Sequence, residues 1–213
     1  MTILTLLTIF GTSFLIAFSG ALMPGPLLTV TITESSRRGF MAGPLLIAGH
    51  GILEILLVIG LVLGLGPLLQ QKYVFIIIAL AGSVVLLWMS ICMFRSLPTL
   101  TLETEASSDK SKNLLITGIL FSIVNPYWTI WWVTIGLGYI LHSLNYGIWG
   151  VAAFFIGHIL ADLIWYTVVS VGVWRGKTFL NDRAYRIVIG ACAVFLVIFA
   201  GLFMYSGIQK LIT

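Results

Sequence analysis

Charge is scarce in this chain. Of 213 residues, 11 are Lys or Arg and 7 are Asp or Glu, against a hydrophobic share of 60%. Too few polar side chains remain to coat a water-soluble globule of this length, so lipid is the expected solvent for the fold. Cysteine is scarce too. Cys92 and Cys192 lie inside apolar segments with no pairing motif, which excludes a disulfide framework and reads as two small core residues. There is no His-Glu-x-x-His, and no serine or cysteine stands in a nucleophile frame with the histidines, so an intramembrane enzyme is not expected. The first apolar stretch has no Lys or Arg before it and outruns a signal-peptide core, so it reads as a retained span. The net charge of +4 is not gathered on a soluble domain, and no nucleic-acid partner is expected.

Long apolar runs are what the chain does have. Six segments can be marked, at about 3–34, 41–69, 73–96, 113–141, 146–174 and 185–209. Their length and lack of polar alternation exclude β-barrel strands, which need only about 10 residues. The polar stretch between the third and fourth segments contains Glu103, Glu105, Asp109, Lys110 and Lys112. Three units follow: a first three-helix repeat (1–96), a polar cytoplasmic linker (97–112) and a second three-helix repeat (113–213). Lys and Arg set the orientation. Arg37, Arg38, Arg95, Lys110, Lys112, Arg175, Lys177, Arg183 and Arg186 fall on one side, and only Lys72 and Lys210 on the other. Positive loops stay in the cytoplasm, so both termini are expected outside. Three spans per repeat is odd, so the second copy enters the membrane upside down. The expected fold is an all-α integral membrane protein of six transmembrane helices in a 3+3 inverted repeat.

The repeat is visible in the side chains. Gly49-His50 is followed four residues later by Glu54, and Gly157-His158 by Asp162, at an offset of 108 residues that also relates Gly64 to Gly172 and Gly82 to Gly190. His50, Glu54, His158 and Asp162 lie near mid-membrane, and the spacing puts each histidine and its acid on one helical face. An uncompensated charge there costs at least about 2.5–3.5 kcal/mol, so these acids must be neutral, paired or facing water. Three readings stay open: His–carboxylate bonds that only pin helices, acids that exchange protons during transport, or a divalent cation held by the quartet.

Helix breakers supply the second clue. Met23-Pro24-Gly25-Pro26 interrupts the first segment and Asn125-Pro126 the fourth, each near its middle, so helices 1 and 4 are expected to be broken at proline. Irregular backbone survives at membrane depth only beside protein or a watery cavity, and paired interruptions point to a binding site. After the second break come Tyr127, Trp128, Trp131 and Trp132. Tryptophans this deep either line a cation–π pocket or pack against glycine-rich helices. Glu34 reads as a cytoplasmic gate or as the i+3 and i+4 partner of Arg37 and Arg38. Ser19, Thr29, Thr31 and Thr33 either contact substrate or bond to their own helix. Trp165 and Tyr166 cap the cavity or pack in the core. Small residues in the third and sixth spans, among them Ala79, Ala81, Ser83, Ala191, Ala193, Ala200 and Gly201, suit helix contacts within the chain or in a homodimer.

Pro24-Gly25-Pro26, Arg37-Arg38-Gly39, Ala42-Gly43, the glycine-rich second span from Ala48-Gly49 and Asn125-Pro126 together resemble the LysE/RhtB family of amino-acid exporters, over almost the whole chain. The resemblance implies an inner-membrane exporter of amino acids or related small metabolites, driven by the proton-motive force. It places the two prolyl breaks along the path. Family members commonly carry Lys after Asn-Pro, whereas Tyr127 stands here, so the class carries over and a particular substrate does not. The expected substrate-binding set is Pro24, Gly25, Pro26, Asn125, Pro126, Tyr127 and Trp128, with His50, Glu54, His158 and Asp162 coupling protons. Substrate, protons and bilayer are the expected partners, with no cofactor and no resident metal. The alternative is an exporter of divalent metal cations through the His/carboxylate quartet.

Overall fold

The computed structural model describes residues 2–69, 71–100, 113–176 and 182–212. Helix α1 (Ile3–Ala21) is capped by the Thr2 side chain. Its interior hydroxyls bond back to their own helix, as Thr8 does to the Leu4 carbonyl at 2.9 Å. After a break at 22–25, α2 (Pro26–Arg38) opens with proline at its first position, where a missing amide leaves no bond unmade. It stops at Gly39, whose φ of 91° suits a residue without Cβ. Helix α3 (Ala42–Gly60) runs on through a π-helical stretch, Leu61–Leu65, into Gly66–Leu69. Gly64 in that stretch sits at φ 104°. Then come α4 (Lys72–Ser96), α5 (Leu114–Ile123), α6 (Pro126–Leu144), α7 (Gly147–Gly176) and α8 (Asp182–Ile212).

Five helices are long and apolar enough to cross a membrane: α1, α3 with its extension, α4, α7 and α8. Helices α5 and α6, bent by 65° at Val124–Asn125, make a sixth span between them. There is no strand among the described residues. The all-helical, six-span architecture is therefore in place. Of the polar linker, only residues 97–100 are described, and its acids and lysines lie outside the described residues, as does Lys177.

The first segment departs from its expected form. A break near mid-span was expected, yet α1 alone has 19 residues, about 28 Å of helix and close to a full crossing. The 13 residues of α2 are too polar for lipid and are tucked among α3, α5 and α7 instead, with Thr31, Glu34, Ser35 and Ser36 buried. Polarity ends the first span early. The fourth segment does break inside a span, ten residues into it.

Packing pairs the two halves crosswise: α1 lies against α7, α3 against α5, and α4 against α8. Glycine makes the first two contacts close. A Cβ on Gly49 would collide with the Leu115 carbonyl, and one on Gly157 with the Phe10 carbonyl. Gly118 abuts the Leu46 carbonyl, and Ser13 donates to the Phe154 carbonyl at 2.8 Å. One offset of 108 between α3 and α7, with one of 105 between α1 and α5, maps each contact onto the other. Between α4 and α8 the small residues divide. Ala79, Ser83, Ala193 and Ala200 are buried within the chain, whereas Ala81, Ala191 and Gly201 face outward. Cys192 is buried as expected. Cys92 is exposed on the outer surface of α4, because its turn of that helix faces away from α8.

Candidate functional site

Helices α3 and α7 present their histidine and acid one turn apart, and their crossing brings the four side chains together. Within each helix, His50 Nε2 lies 3.0 Å from Glu54 Oε1 and His158 Nε2 lies 3.5 Å from Asp162 Oδ2. Between helices the approach is as close: His158 Nε2 is 3.2 Å from Glu54 Oε2, and His50 Nε2 is 3.7 Å from Asp162 Oδ2. All four are buried, Glu54 to 1% exposure. They form one cluster rather than two separate pairs.

Glu54 is the best-supplied member. Trp128 Nε1 and Trp132 Nε1, one turn apart on α6, donate to its Oε1 at 3.1 and 2.8 Å. A carboxyl group cut off from water needs such donors, and the two indoles supply what lipid cannot. The deep tryptophans thus serve by their N–H groups as well as their faces. Tyr127 and Trp131 point elsewhere and donate to the Ser19 carbonyl at 2.9 Å and the Ser19 hydroxyl at 3.0 Å, tying α6 to α1.

His50 has a partner that the sequence did not announce. Its Nδ1 lies 2.7 Å from the hydroxyl of Ser122, which itself bonds to the Gly118 carbonyl at 2.7 Å. His158 Nδ1 is buried with no partner among the described residues, and the same is true of Trp165 Nε1. The rings of Trp131, Trp132 and Phe154 surround His158 at centroid distances of 4.8, 5.2 and 6.0 Å.

The quartet faces a cavity of about 50 Å³ walled also by Gly25, Ser122, Asn125, Tyr127, Trp128 and Tyr166. That is room for a few waters, at roughly 10–15 Å³ each by this measure. Tyr166 therefore lies on the cavity wall, whereas Trp165 packs against the core around Leu46 and Ile47. The three prolines stand outside this wall. Pro24 borders a smaller neighbouring cavity, Pro26 is buried, and Pro126 presses on Gly82 of α4. Their work is to end and begin helices. At the second break the Asn125 side chain caps Tyr127 N at 3.1 Å, while Gly25 leaves the start of α2 without a side-chain cap.

Glu34 lies apart from the quartet, 2.6 Å from Arg38 Nε and 3.4 Å from Arg37 Nη1, the i+4 and i+3 pairing. Nearby, Ser35 and Ser170 share a hydrogen bond of 2.8 Å, and Gly43 N donates to Ser170 at 2.9 Å. Of the four hydroxyls near the first break, Ser19, Thr29 and Thr31 bond to their own helix, whereas Thr33 reaches Tyr185 of α8 at 3.1 Å.

The sequence profile of the LysE type translocator family matches residues 18–207, which takes in both breaks and all four members of the quartet. The chain belongs to the LysE type translocator family. No curated protein and no solved structure matches it. This LysE type translocator is thus a multi-pass membrane protein that moves small molecules. Sequence reasoning found the quartet and the breaks but missed Ser122, and it named Ser19 without its bonds to α6. Their partners are 72 and 112 residues away, and a serine in an apolar helix carries no signal beyond its own turn.

Proposed function

We propose that this translocator exports amino acids or related small zwitterionic metabolites from the cytoplasm by alternating access, coupled to protons. The observation that carries the reading is that titratable groups from both halves converge in one buried cavity onto which the uncapped start of α2 at Gly25 also opens. The free amides and positive dipole end of α2 suit a substrate carboxylate, and Glu54 and Asp162 suit an ammonium group or the coupled proton. Gly25, Asn125, Tyr127 and Trp128 contact the substrate, with Pro24, Pro26 and Pro126 shaping the breaks. Glu34, with Arg37 and Arg38, guards the cytoplasmic entry. The excess of cations in the 1–2, 3–4 and 5–6 loops supports an inner-membrane orientation with both termini outside.

In proteoliposomes loaded with a panel of amino acids, Glu54→Gln or Asp162→Asn abolishes efflux driven by a pH gradient while the protein still folds. Unchanged coupling in both variants removes these acids from the mechanism. One observation favours a second reading, export of a divalent cation as substrate: ligand atoms of His50, Glu54 and Asp162 all lie within 4.8 Å of one another. Thermal stabilisation of the purified protein by zinc or manganese, lost in His50→Ala, supports the cation. Stabilisation by amino acids supports the first reading.

A further inference from the structure

The smaller cavity bordered by Pro24 adjoins the quartet cavity and differs from it in chemistry. The two share Met23, Gly25, Asn125 and Tyr127, so residues of both helix breaks stand at their junction. The rest of the smaller wall is Pro24, Leu86 of α4 and Phe195, Leu196 and Phe199 of α8, with no charged side chain among the described residues. Phe199 meets the Tyr127 ring edge-on at 5.6 Å and stacks on Phe195 at 4.6 Å. The oxygens at the junction are turned elsewhere: the Tyr127 hydroxyl donates to the Ser19 carbonyl, and Asn125 Oδ1 accepts from Tyr127 N. Asn125 Nδ2 lies on the Gly25 side, 3.6 Å from where a Cβ on that glycine would stand. A charged side chain entering the smaller cavity would lose its water and find no counter-charge, whereas an aliphatic one gains by burial.

We propose that the smaller cavity is the side-chain pocket of the substrate site and that it selects neutral amino acids with short aliphatic side chains. This rests on the amino-acid reading above. The substrate lies across the junction, with its carboxylate at the start of α2 beside Asn125 Nδ2 and its ammonium group toward Glu54 and Asp162. Its side chain then points to Leu86, Leu196 and Phe199. The cavity holds about 10 Å³, roughly the space of one water or methyl group. Met23 is unbranched and belongs to the break, so it yields to admit a side chain such as that of valine or leucine. An aromatic ring is excluded, because it runs into the Phe195–Phe199 stack.

The test is exchange in proteoliposomes of the full-length protein with no pH gradient, so that proton coupling does not enter. Vesicles loaded with one amino acid take up the radiolabelled form of the same one. Valine and leucine should exchange fastest, and threonine, the isostere of valine with a hydroxyl, about tenfold or more slowly. Lysine, glutamate and phenylalanine should not exchange. Leu86→Ala enlarges the pocket and should raise exchange of phenylalanine relative to valine about tenfold. Phe199→Leu gives the same reading if Leu86→Ala does not fold. Equal exchange of valine and threonine, a preference for lysine or glutamate, or enlarged pockets that leave the ranking unchanged overturn the proposal while the amino-acid reading stands. If none of these amino acids exchanges, the amino-acid reading fails and the proposal with it.

Discussion

In the first half of the molecule the central histidine is held at both ring nitrogens, by Ser122 and by Glu54. In the second half the corresponding ring meets carboxyl groups at one nitrogen and has no hydrogen-bond partner among the described residues at the other. The helix contacts that support the two rings are nearly interchangeable, glycine against carbonyl in each. At Gly49 and Gly157 a single added methyl collides with the facing backbone, whereas the cavity wall differs by a hydroxyl between Ser122 and Ala17. The two sides therefore share a close glycine contact and differ in the polar groups around their histidines.

The largest expected effect tests that shared frame. Gly49→Ala and Gly157→Ala should each destabilise the protein by about 1–3 kcal/mol or more, since the new Cβ meets backbone that cannot swing aside. Thermal unfolding in detergent reads this out, and a tolerant Gly157→Ala beside a damaging Gly49→Ala would break the equivalence. Next is Trp132→Phe, which removes the shorter indole bond to Glu54 and should cost about 1.5–3 kcal/mol if that carboxyl is charged. Trp128→Phe, at the longer bond, should cost less, and the reverse order would mean that the two donors are misassigned. A sharper contrast lies in the mates Gly64 and Gly172. Alanine at Gly64 is forced to φ 104° and should lose about 1–2 kcal/mol. Alanine at Gly172, in open space within a helix, should be neutral or gain up to about 1 kcal/mol. The smallest effect is Ser13→Ala, which gives up one hydrogen bond between α1 and α7 for a loss of about 1 kcal/mol in the same assay.

Composition and periodicity made the helices, the doubling and the quartet legible, because each depends on residue type or on spacing within one helix. That the two His–acid pairs meet in one place was expected from the doubling, but how closely they approach was not legible. It depends on the angle at which α3 and α7 cross, and glycines at Gly43, Gly49 and Gly157 set that closeness only once their neighbours are known. The first break illustrates another limit. Pro24 and Pro26 announced an interruption, but the polarity of Thr29 to Arg38, read as part of a span, is what turns α2 into a buried spur. The tryptophans were ambiguous for a related reason: an indole offers a face and a donor, and only the position of Glu54 shows which one is used.

At Gly43 the first-half helix lies so near its counterpart that any side-chain carbon there would strike the Tyr166 carbonyl and the Ser170 hydroxyl. Main chain touches main chain, with the Ser35–Ser170–Gly43 hydrogen bonds as stitching. Such a seam joins the α2–α3 corner to α7 close to the Arg37–Arg38 end. Parting the two helices there means breaking two hydrogen bonds and a backbone contact together, so that end of the bundle opens as a zipper rather than by the swing of any one residue.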